Sequence, residues 1–228
     1  LGVLLRGIDD GRRTFTNTMK YISITTSANF GNMISMAFAS LFLPFLPLLA
    51  KQILLNNFLS DLPSMAIATD NVEPEDITRP KHWDLTHIMR FMLAFGLVSS
   101  FFDFMTFGFL LYVVKASAET FQTAWFIESL VTELAIVLVV RTSKAFWKSR
   151  PGTLLSGLTL AVVLLAAAIP YLPYADWFGF VALPWWVMAG LGAITLMYLA
   201  ASEATKHLFL AWERRRPQRS RRLNRHAA

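Results

Sequence analysis

The chain has 228 residues, is 55% hydrophobic, carries a formal net charge of +6 and contains no cysteine. The lack of cysteine excludes disulfides, cysteine–zinc sites and thiol nucleophiles, which leaves oxygen and histidine ligands as the available site chemistry. Several uninterrupted apolar stretches approach the ~20 residues that a bilayer-spanning helix needs, so the composition predicts an integral membrane protein.

The N-terminal segment is predicted to be a stalk that runs into the membrane. Residues 1–5 form a short apolar run that is expected to end a buried strand of an upstream domain, and the polar turn GIDDG follows it. A helix is expected to begin near Arg12 and to continue into the first span. It has no glycine or proline up to Phe30, so we expect it to move as a rod. The missing initial methionine indicates a fragment of a longer protein.

The apolar pattern predicts an all-α fold, a polytopic membrane bundle of six transmembrane helices. The predicted spans cover residues 21–43, 48–67, 88–114, 123–140, 154–172 and 183–204, and a tight PFLP turn joins the first two. A polar, acidic loop separates the second span from the third.

The distribution of basic residues predicts the orientation. Of the 21 lysines and arginines, only Lys51 and Lys115 lie at the first, third and fifth turns, so both termini are expected to be cytoplasmic, with the protein in the plasma (inner) membrane. The tail from Arg214 to Arg225 holds seven arginines. Beside a membrane span its favoured partner is anionic lipid headgroups and not nucleic acid, with a plain topology signal as the alternative.

One acid interrupts the second span, in the stretch NNFLSDLPSM. Asn57, Ser60 and Asp61 fall at i, i+3 and i+4, which places three hard oxygen donors on one helical face. Pro63 is predicted to loosen the backbone just beyond Asp61 and to free carbonyl oxygens. Broken helices at mid-membrane are typical of ion-binding sites.

The first span supplies the facing half of this predicted site. A rise of ~1.5 Å per residue, counted inward from the PFLP turn, places Asn29 level with Asp61 and Asn32 near Asn57. Oxygen donors that converge at one depth indicate a cation site, and hydrogen bonding that only joins two spans is the alternative. Glu133 is predicted to reach the same level from the fourth span.

Two further acids lie within the predicted spans. Glu128 is nearer the outer surface than Glu133, and Asp103 lies past the middle of the third span. All three acids are candidates for the ion site or for protonated or paired structural acids, and the structural interpretation is preferred for Glu128 and Asp103. The histidines are expected to be surface residues and not metal ligands: His82, His87, His207 and His226.

The sequence resembles a known family. The run GRRTFTNTMKYISITTSANFGN, followed by FLPFLPLLAKQILLNNFLSDLPSMAIATD, is similar to the fifth and sixth membrane helices of P-type ATPases, most closely of the magnesium-transporting branch. The similarity continues through RPKHWD, SSFFDFMTF, WFIESLVTE and RTSKAF to the last helix. This resemblance implies an ATP-driven pump with an aspartyl-phosphate intermediate, in which the chain forms the last six of ten membrane helices.

The resemblance also implies a set of ligands. The positions that match Asn29, Asn57, Ser60 and Asp61 coordinate the transported ion in calcium pumps of the superfamily. The chain departs from those pumps at Asn32, where they carry a glutamate. One carboxylate fewer argues against calcium and fits Mg²⁺, which dehydrates reluctantly and is often held through few carboxylates.

By the same resemblance, residues 1–20 are the end of the phosphorylation domain and the stalk, residues 21–210 the membrane domain, and residues 211–228 a basic tail. ATP-Mg is expected to bind domains that are absent from this sequence. The phosphorylated Asp-Lys-Thr-Gly-Thr motif is absent as well, so the chain alone is expected to be inactive. The alternatives are a pump for another cation such as calcium, or a non-enzymatic six-helix channel, carrier or regulatory subunit.

Overall fold

The structure is a computed structural model that describes residues 2–78 and 82–215. Over these residues it is all-helical. The eight α-helices are α1 (Gly2–Phe42), α2 (Ala50–Ala66), α3 (Pro74–Ile77), α4 (Leu85–Gly108), α5 (Ala118–Val140), α6 (Thr153–Ala168), α7 (Ala175–Phe178) and α8 (Trp185–Arg215). A π-helical segment, Phe109–Val114, extends α4, and 3₁₀ turns follow α2 and α6 at Ile67–Thr69 and Ile169–Tyr171.

Six of these helices lie where the apolar pattern predicts membrane spans. In the described part of the chain, four of them are long and apolar enough to cross a membrane: α4 and α6 with their extensions, α5 and α8. Helix α2 has 17 residues, fewer than the ~20 that a full span needs, and α1 carries several polar side chains along its length. The all-helical fold is therefore confirmed with four candidate membrane spans, whereas the count of six spans stays a prediction.

The N-terminal segment differs from the prediction. Helix α1 is continuous from Gly2 to Phe42, so the strand end expected at residues 1–5 and the turn expected at GIDDG are wrong for the described residues. Val3 and Leu4 are exposed on this helix. The physical reason is that helix growth needs only one further hydrogen bond per residue once a nucleus exists, whereas a strand needs a partner strand.

The loosening of the backbone expected just beyond Asp61 does not interrupt the helix. Helix α2 passes through Pro63 and continues to Ala66, where the 3₁₀ turn begins. Pro63 is buried among neighbouring helices, which can hold a proline inside a membrane helix. Proline has no N–H, so the carbonyl of Leu59 lacks the donor that a helix would otherwise supply from position 63. Leu59 is only 4% exposed, so this carbonyl lies inside the bundle.

Helix α5 is the centre of the bundle. It is buried along most of its length and packs against α1, α2, α4, α6 and α8. Helices α1 and α4 pack closely at Gly31 and Gly96, where the Ser100 hydroxyl donates a hydrogen bond of 3.1 Å to the Gly31 carbonyl. Small residues allow such close approach between helices in a membrane, where the hydrophobic effect does not drive helices together.

A buried ionic cluster joins the ends of several helices near the loop after α2. Asp70 accepts a hydrogen bond of 3.0 Å from the Lys20 ammonium and one of 3.3 Å from the Arg141 guanidinium. It also accepts a bond of 3.0 Å from the Gly152 N–H just before α6. The Asp70 side chain is fully buried, so its charge depends on these partners and ties α1, α5 and α6 together.

Candidate cation site

Helix α2 carries the three oxygen donors of the predicted motif. Ser60 is buried, and its hydroxyl donates a hydrogen bond of 3.2 Å to the backbone carbonyl of Asn57. The side chains of Asn57 and Asp61 lie on the exposed side of the described bundle. One helix therefore presents a hydroxyl to the interior and an amide and a carboxylate at its edge.

Glu133 on α5 meets this motif from the centre of the bundle. Its carboxyl group lies within interaction range of Ser60, Asn56, Asn32 and Asp61. Its Oε2 atom is buried and has no hydrogen-bond donor among the described residues. The structure thus places Glu133 beside the α2 motif, with a free oxygen that can still accept a partner. Its role as a cation ligand stays a prediction.

Helix α1 contributes Asn32, which is half-buried beside Glu133. The sequence placed Asn32 near Asn57, but the contact that the structure records is with Glu133. Asn29, one turn earlier, is exposed, and within the described residues no hydrogen bond joins it to Asp61. That Asn29 faces Asp61 therefore stays a prediction.

Asn56 is a member of this constellation that sequence reasoning missed. It is 4% exposed, lies beside Glu133, and its Oδ1 atom has no hydrogen-bond donor in the described chain. Its spacing from Ser60 is i, i+4, as good a helical spacing as the one that singled out Asn57. The sequence contained this signal, but the choice between two adjacent asparagines depends on which one faces α5.

The donor set has a clear chemical character. It consists of the carboxylates of Asp61 and Glu133, the amides of Asn32 and Asn56, and the hydroxyl of Ser60, all hard oxygen ligands. The buried carbonyl of Leu59 is a further oxygen one position before Ser60. Hard oxygen donors select Mg²⁺, Ca²⁺ and similar cations over soft metals. Within the described residues there is no cluster of three or more acids, histidines or cysteines, so a cation here depends on neutral oxygens as well as on charge.

Asp103 and Glu128 form a separate pair, away from this set. Each is 1% exposed, and the two carboxyl groups interact with each other between α4 and α5. Of the histidines, His87 and His207 lie beside Glu213 and Glu203, at 2.7 Å and 2.9 Å. The exposed His82 forms no such pair in the described chain, and His226 lies outside the described residues.

Comparison with known proteins identifies the family of the chain. Residues 45–208 match the family model described as "Cation transporting ATPase, C-terminus". The chain is 39% identical over 214 residues to proteins from Salmonella typhimurium and Escherichia coli that are named "Magnesium-transporting ATPase, P-type 1", in an alignment that covers 92% of this chain.

A second relative, named "Calcium-transporting ATPase" and found in Bacillus subtilis, is 26% identical over 211 residues, an alignment that covers 87% of this chain and 24% of that protein. The chain spans 24% of the length of the magnesium-transporting relatives as well, so it corresponds to about a quarter of each. The resemblance to P-type ATPases is confirmed, and the chain belongs to the cation-transporting ATPases as their C-terminal membrane part.

Proposed function

We propose that the chain is the cation-binding membrane part of an ATP-driven P-type pump that transports Mg²⁺. The observation that carries the proposal is the convergence of Glu133 from α5 and Asn32 from α1 on Ser60 and Asp61 of α2. Three helices thus direct oxygen donors to one place inside an apolar bundle, where uncompensated polar groups are costly. The names of the relatives at 39% identity support magnesium as the ion.

The chemistry of the donor set fits a divalent cation. The carboxylates of Asp61 and Glu133 together balance a charge of two, which removes the main cost of holding such an ion in a low-dielectric interior. The amides and the hydroxyl supply neutral oxygens. Mg²⁺ usually keeps several waters and binds only one or two carboxylates, so it does not need a closed cage of acids.

Asn29 and Asn57 complete the proposed ligand set. Both lie on the exposed side of the described bundle, as do Asp61 and the apolar Phe58. An apolar surface that carries a carboxylate and two amides is suited to further membrane helices. We assign that covering role to the part of the pump that precedes this sequence.

The proposal extends to the arrangement in the membrane. Helices α1 and α2 act as the first two of six spans, with both termini in the cytoplasm and the protein in the inner membrane. Residues 1–20 belong to the stalk and the end of the phosphorylation domain, residues 21–210 to the membrane domain. The phosphorylated aspartate and the ATP-Mg site lie in segments outside this sequence.

The basic tail, residues 211–228, is proposed to hold the inner end of α8 at an anionic lipid surface. Most of its arginines lie outside the described residues. Each basic residue near such a surface contributes on the order of 1 kcal/mol, and salt screens this attraction. Replacing the tail arginines with glutamine should weaken activity in anionic vesicles and leave it unchanged in neutral ones. Equal behaviour of both proteins in both lipids would exclude the lipid contact.

The proposed site is tested by Asp61→Asn and Glu133→Gln in the full-length pump, with Asp176→Asn as a matched control on the outer loop. Both site variants should insert normally and lose Mg²⁺-dependent ATP hydrolysis and uptake, with at least the ~10–100-fold loss of affinity that removal of an outer-shell partner costs. The control should behave as the unmodified pump. Near-normal uptake by Asp61→Asn at unchanged affinity would remove Asp61 from the site.

A calcium pump is the second candidate, favoured by the Bacillus subtilis relative. Ca²⁺ uptake that saturates at a lower ion concentration than Mg²⁺ uptake would show that the protein is a calcium pump. The non-enzymatic alternative predicts that no Asp-Lys-Thr-Gly-Thr motif precedes the chain in the same reading frame. A motif there, together with ATP-dependent uptake, would decide for the pump.

A further inference from the structure

The buried pair Asp103 and Glu128 is the strongest feature that the proposed cation site does not use. Asp103 lies on α4 and Glu128 on α5, each 1% exposed, where α1, α4, α5 and α8 meet. Glu128 is five residues before Glu133 and interacts with none of the proposed ligands. The pair is therefore a distinct polar site in the bundle.

Asp103 is held by two donors. The Trp125 indole N–H donates to its Oδ1 atom at 3.0 Å, and the Ser35 hydroxyl donates to its Oδ2 atom at 2.5 Å. An indole nitrogen can only donate, and an O–H···O distance of 2.5 Å is typical of a bond to a charged carboxylate. Both oxygens of Asp103 therefore act as acceptors, which assigns the negative charge to this residue.

Glu128 has the opposite surroundings. Both of its carboxyl oxygens are buried without a hydrogen-bond donor among the described residues, although the group lies within interaction range of Asp103 and Thr106. Thr106 is 0% exposed, and its hydroxyl likewise has no hydrogen-bond partner among the described residues. Two ionised carboxylates are both acceptors and cannot bond to each other, whereas a protonated one is a donor. A proton on Glu128 converts its contact with the ionised Asp103 into a hydrogen bond.

The charge balance leads to the same conclusion. The titratable groups that face Glu128 are Asp103 from α4 and the phenol of Tyr198 from α8, and α1 brings only the hydroxyl of Ser35. In the described part of the chain, α2 and α6 bring no charged group to it. Two buried negative charges without a cationic neighbour repel each other strongly, so the pair requires one bound positive charge.

A metal ion fits this position poorly. Mg²⁺ needs about six oxygen ligands and Ca²⁺ six to eight. The position offers the two oxygens of Glu128 and the hydroxyl of Thr106, while both oxygens of Asp103 already accept hydrogen bonds. A proton needs only one donor atom and one acceptor atom.

We propose that Asp103 and Glu128 form a second cation-binding site of this chain, which holds a single proton on Glu128 and shares it with Asp103. The site lies on the same helices as the proposed cation site but binds a different ion. Ser35, which stabilises the charge on Asp103, is on α1, so displacement of α1 removes that support and changes how tightly the proton is held. The site stands whether the transported ion is magnesium or calcium.

The test is infrared spectroscopy of the full-length pump with and without Glu128→Gln. The unmodified pump should show the carbonyl band of a protonated, water-excluded carboxylic acid, with a shift in heavy water. Glu128→Gln should lack this band, because glutamine has the shape of the protonated acid without its proton. Glu133→Gln serves as the matched control and should retain it. Persistence of the band in Glu128→Gln would overturn the proposal.

A second measurement guards against misfolding and against a metal occupant. The folded state binds one proton more than the unfolded state, so the melting temperature of the unmodified pump should fall as the pH is raised, and this fall should be smaller in Glu128→Gln. If Glu128→Gln does not accumulate, Asp103→Asn replaces it and should weaken the same pH dependence, since the neighbouring charge is gone. Two results would exclude the proton. One is an unchanged pH dependence of the melting temperature in whichever variant accumulates. The other is stabilisation of Asp61→Asn by Mg²⁺ that disappears when Glu128→Gln is added.

Discussion

Replacing Gly31 with alanine tests how tightly α1 must lie against α4 beside the cation site. The added Cβ atom would lie 2.9 Å from the Cβ atom of Ser99 and 3.1 Å from the carbonyl oxygen of Gly96. Neither of these atoms can rotate away, because one is fixed to the α4 backbone and the other is part of it. To restore an ordinary contact of 3.4 Å, the two helices must separate by about 0.5 Å.

The magnitude follows from two opposing effects. Inserting a methyl group into a well-packed interior costs about 1–3 kcal/mol, and the separation also stretches the bond from Ser100 to the Gly31 carbonyl. Alanine in place of glycine within a helix gains about 0.5–1 kcal/mol. The net expectation is a loss of up to about 2.5 kcal/mol in the free energy of unfolding, with a central value of about 1 kcal/mol.

The assay is thermal unfolding of the full-length pump in detergent, followed by loss of its monodisperse elution peak. Gly192→Ala on α8 is the matched control, because nothing lies within 4 Å of the Cβ atom that it would add. Gly31→Ala should melt below the unmodified pump, and Gly192→Ala at or above it. If Gly31→Ala melts no lower than Gly192→Ala, the close packing of α1 on α4 does not constrain the bundle.

Three further predictions concern α1 and the loop that follows α2. Asp70→Asn leaves the buried Arg141 guanidinium facing a neutral group and should cost about 3 kcal/mol, seen as a lower melting temperature; an unchanged melt would mean that the cluster is not needed. Burial raises the pKa of Glu73, but hydrogen bonds led by that from Lys144 outweigh it and hold the pKa below its ordinary value. The ionised form thus stabilises the fold above the ordinary pKa, and this stability is lost as the pH falls through the lowered pKa. Glu73→Gln should flatten the acid limb of the stability profile, and an unaltered limb would contradict this. A Gly-Pro pair inserted near Thr18 should uncouple ATP hydrolysis from transport, whereas unchanged transport per ATP would show that α1 is not the coupling rod.

The α2 motif could be predicted from the sequence because it is local. Asn57, Ser60 and Asp61 are separated by helical spacings, and the type and depth of their side chains follow from the apolar run around them. The level of Glu133 was predictable in the same way, since the rise per residue converts a sequence interval into a depth. Spacing along one helix and depth in the membrane therefore determine which residues can meet.

The direction in which each side chain points could not be predicted in this way. Asn56 and Asn57 are adjacent, and only the position of α5 decides that Asn56 is buried beside Glu133 while Asn57 is exposed. The pairing of Asp103 with Glu128 likewise depends on how α4 and α5 are rotated against each other, which residue spacing along either helix does not determine. The straight course of α2 through Pro63 depends on neighbours that hold the helix, not on the proline itself.

Helices α1 and α5 are shared by both polar sites, and this sharing has a mechanical consequence. Asn32 and Ser35 are one helical turn apart on α1, the first beside Glu133 and the second bonded to Asp103. Glu128 and Glu133 are five residues apart on α5, a rise of about 7.5 Å. Because α1 is one continuous helix from Gly2 to Phe42, a displacement applied at its exposed N-terminal end moves Asn32 and Ser35 together. The geometry of the proposed cation ligands and the support of the carboxylate beside Glu128 are therefore expected to change in the same step.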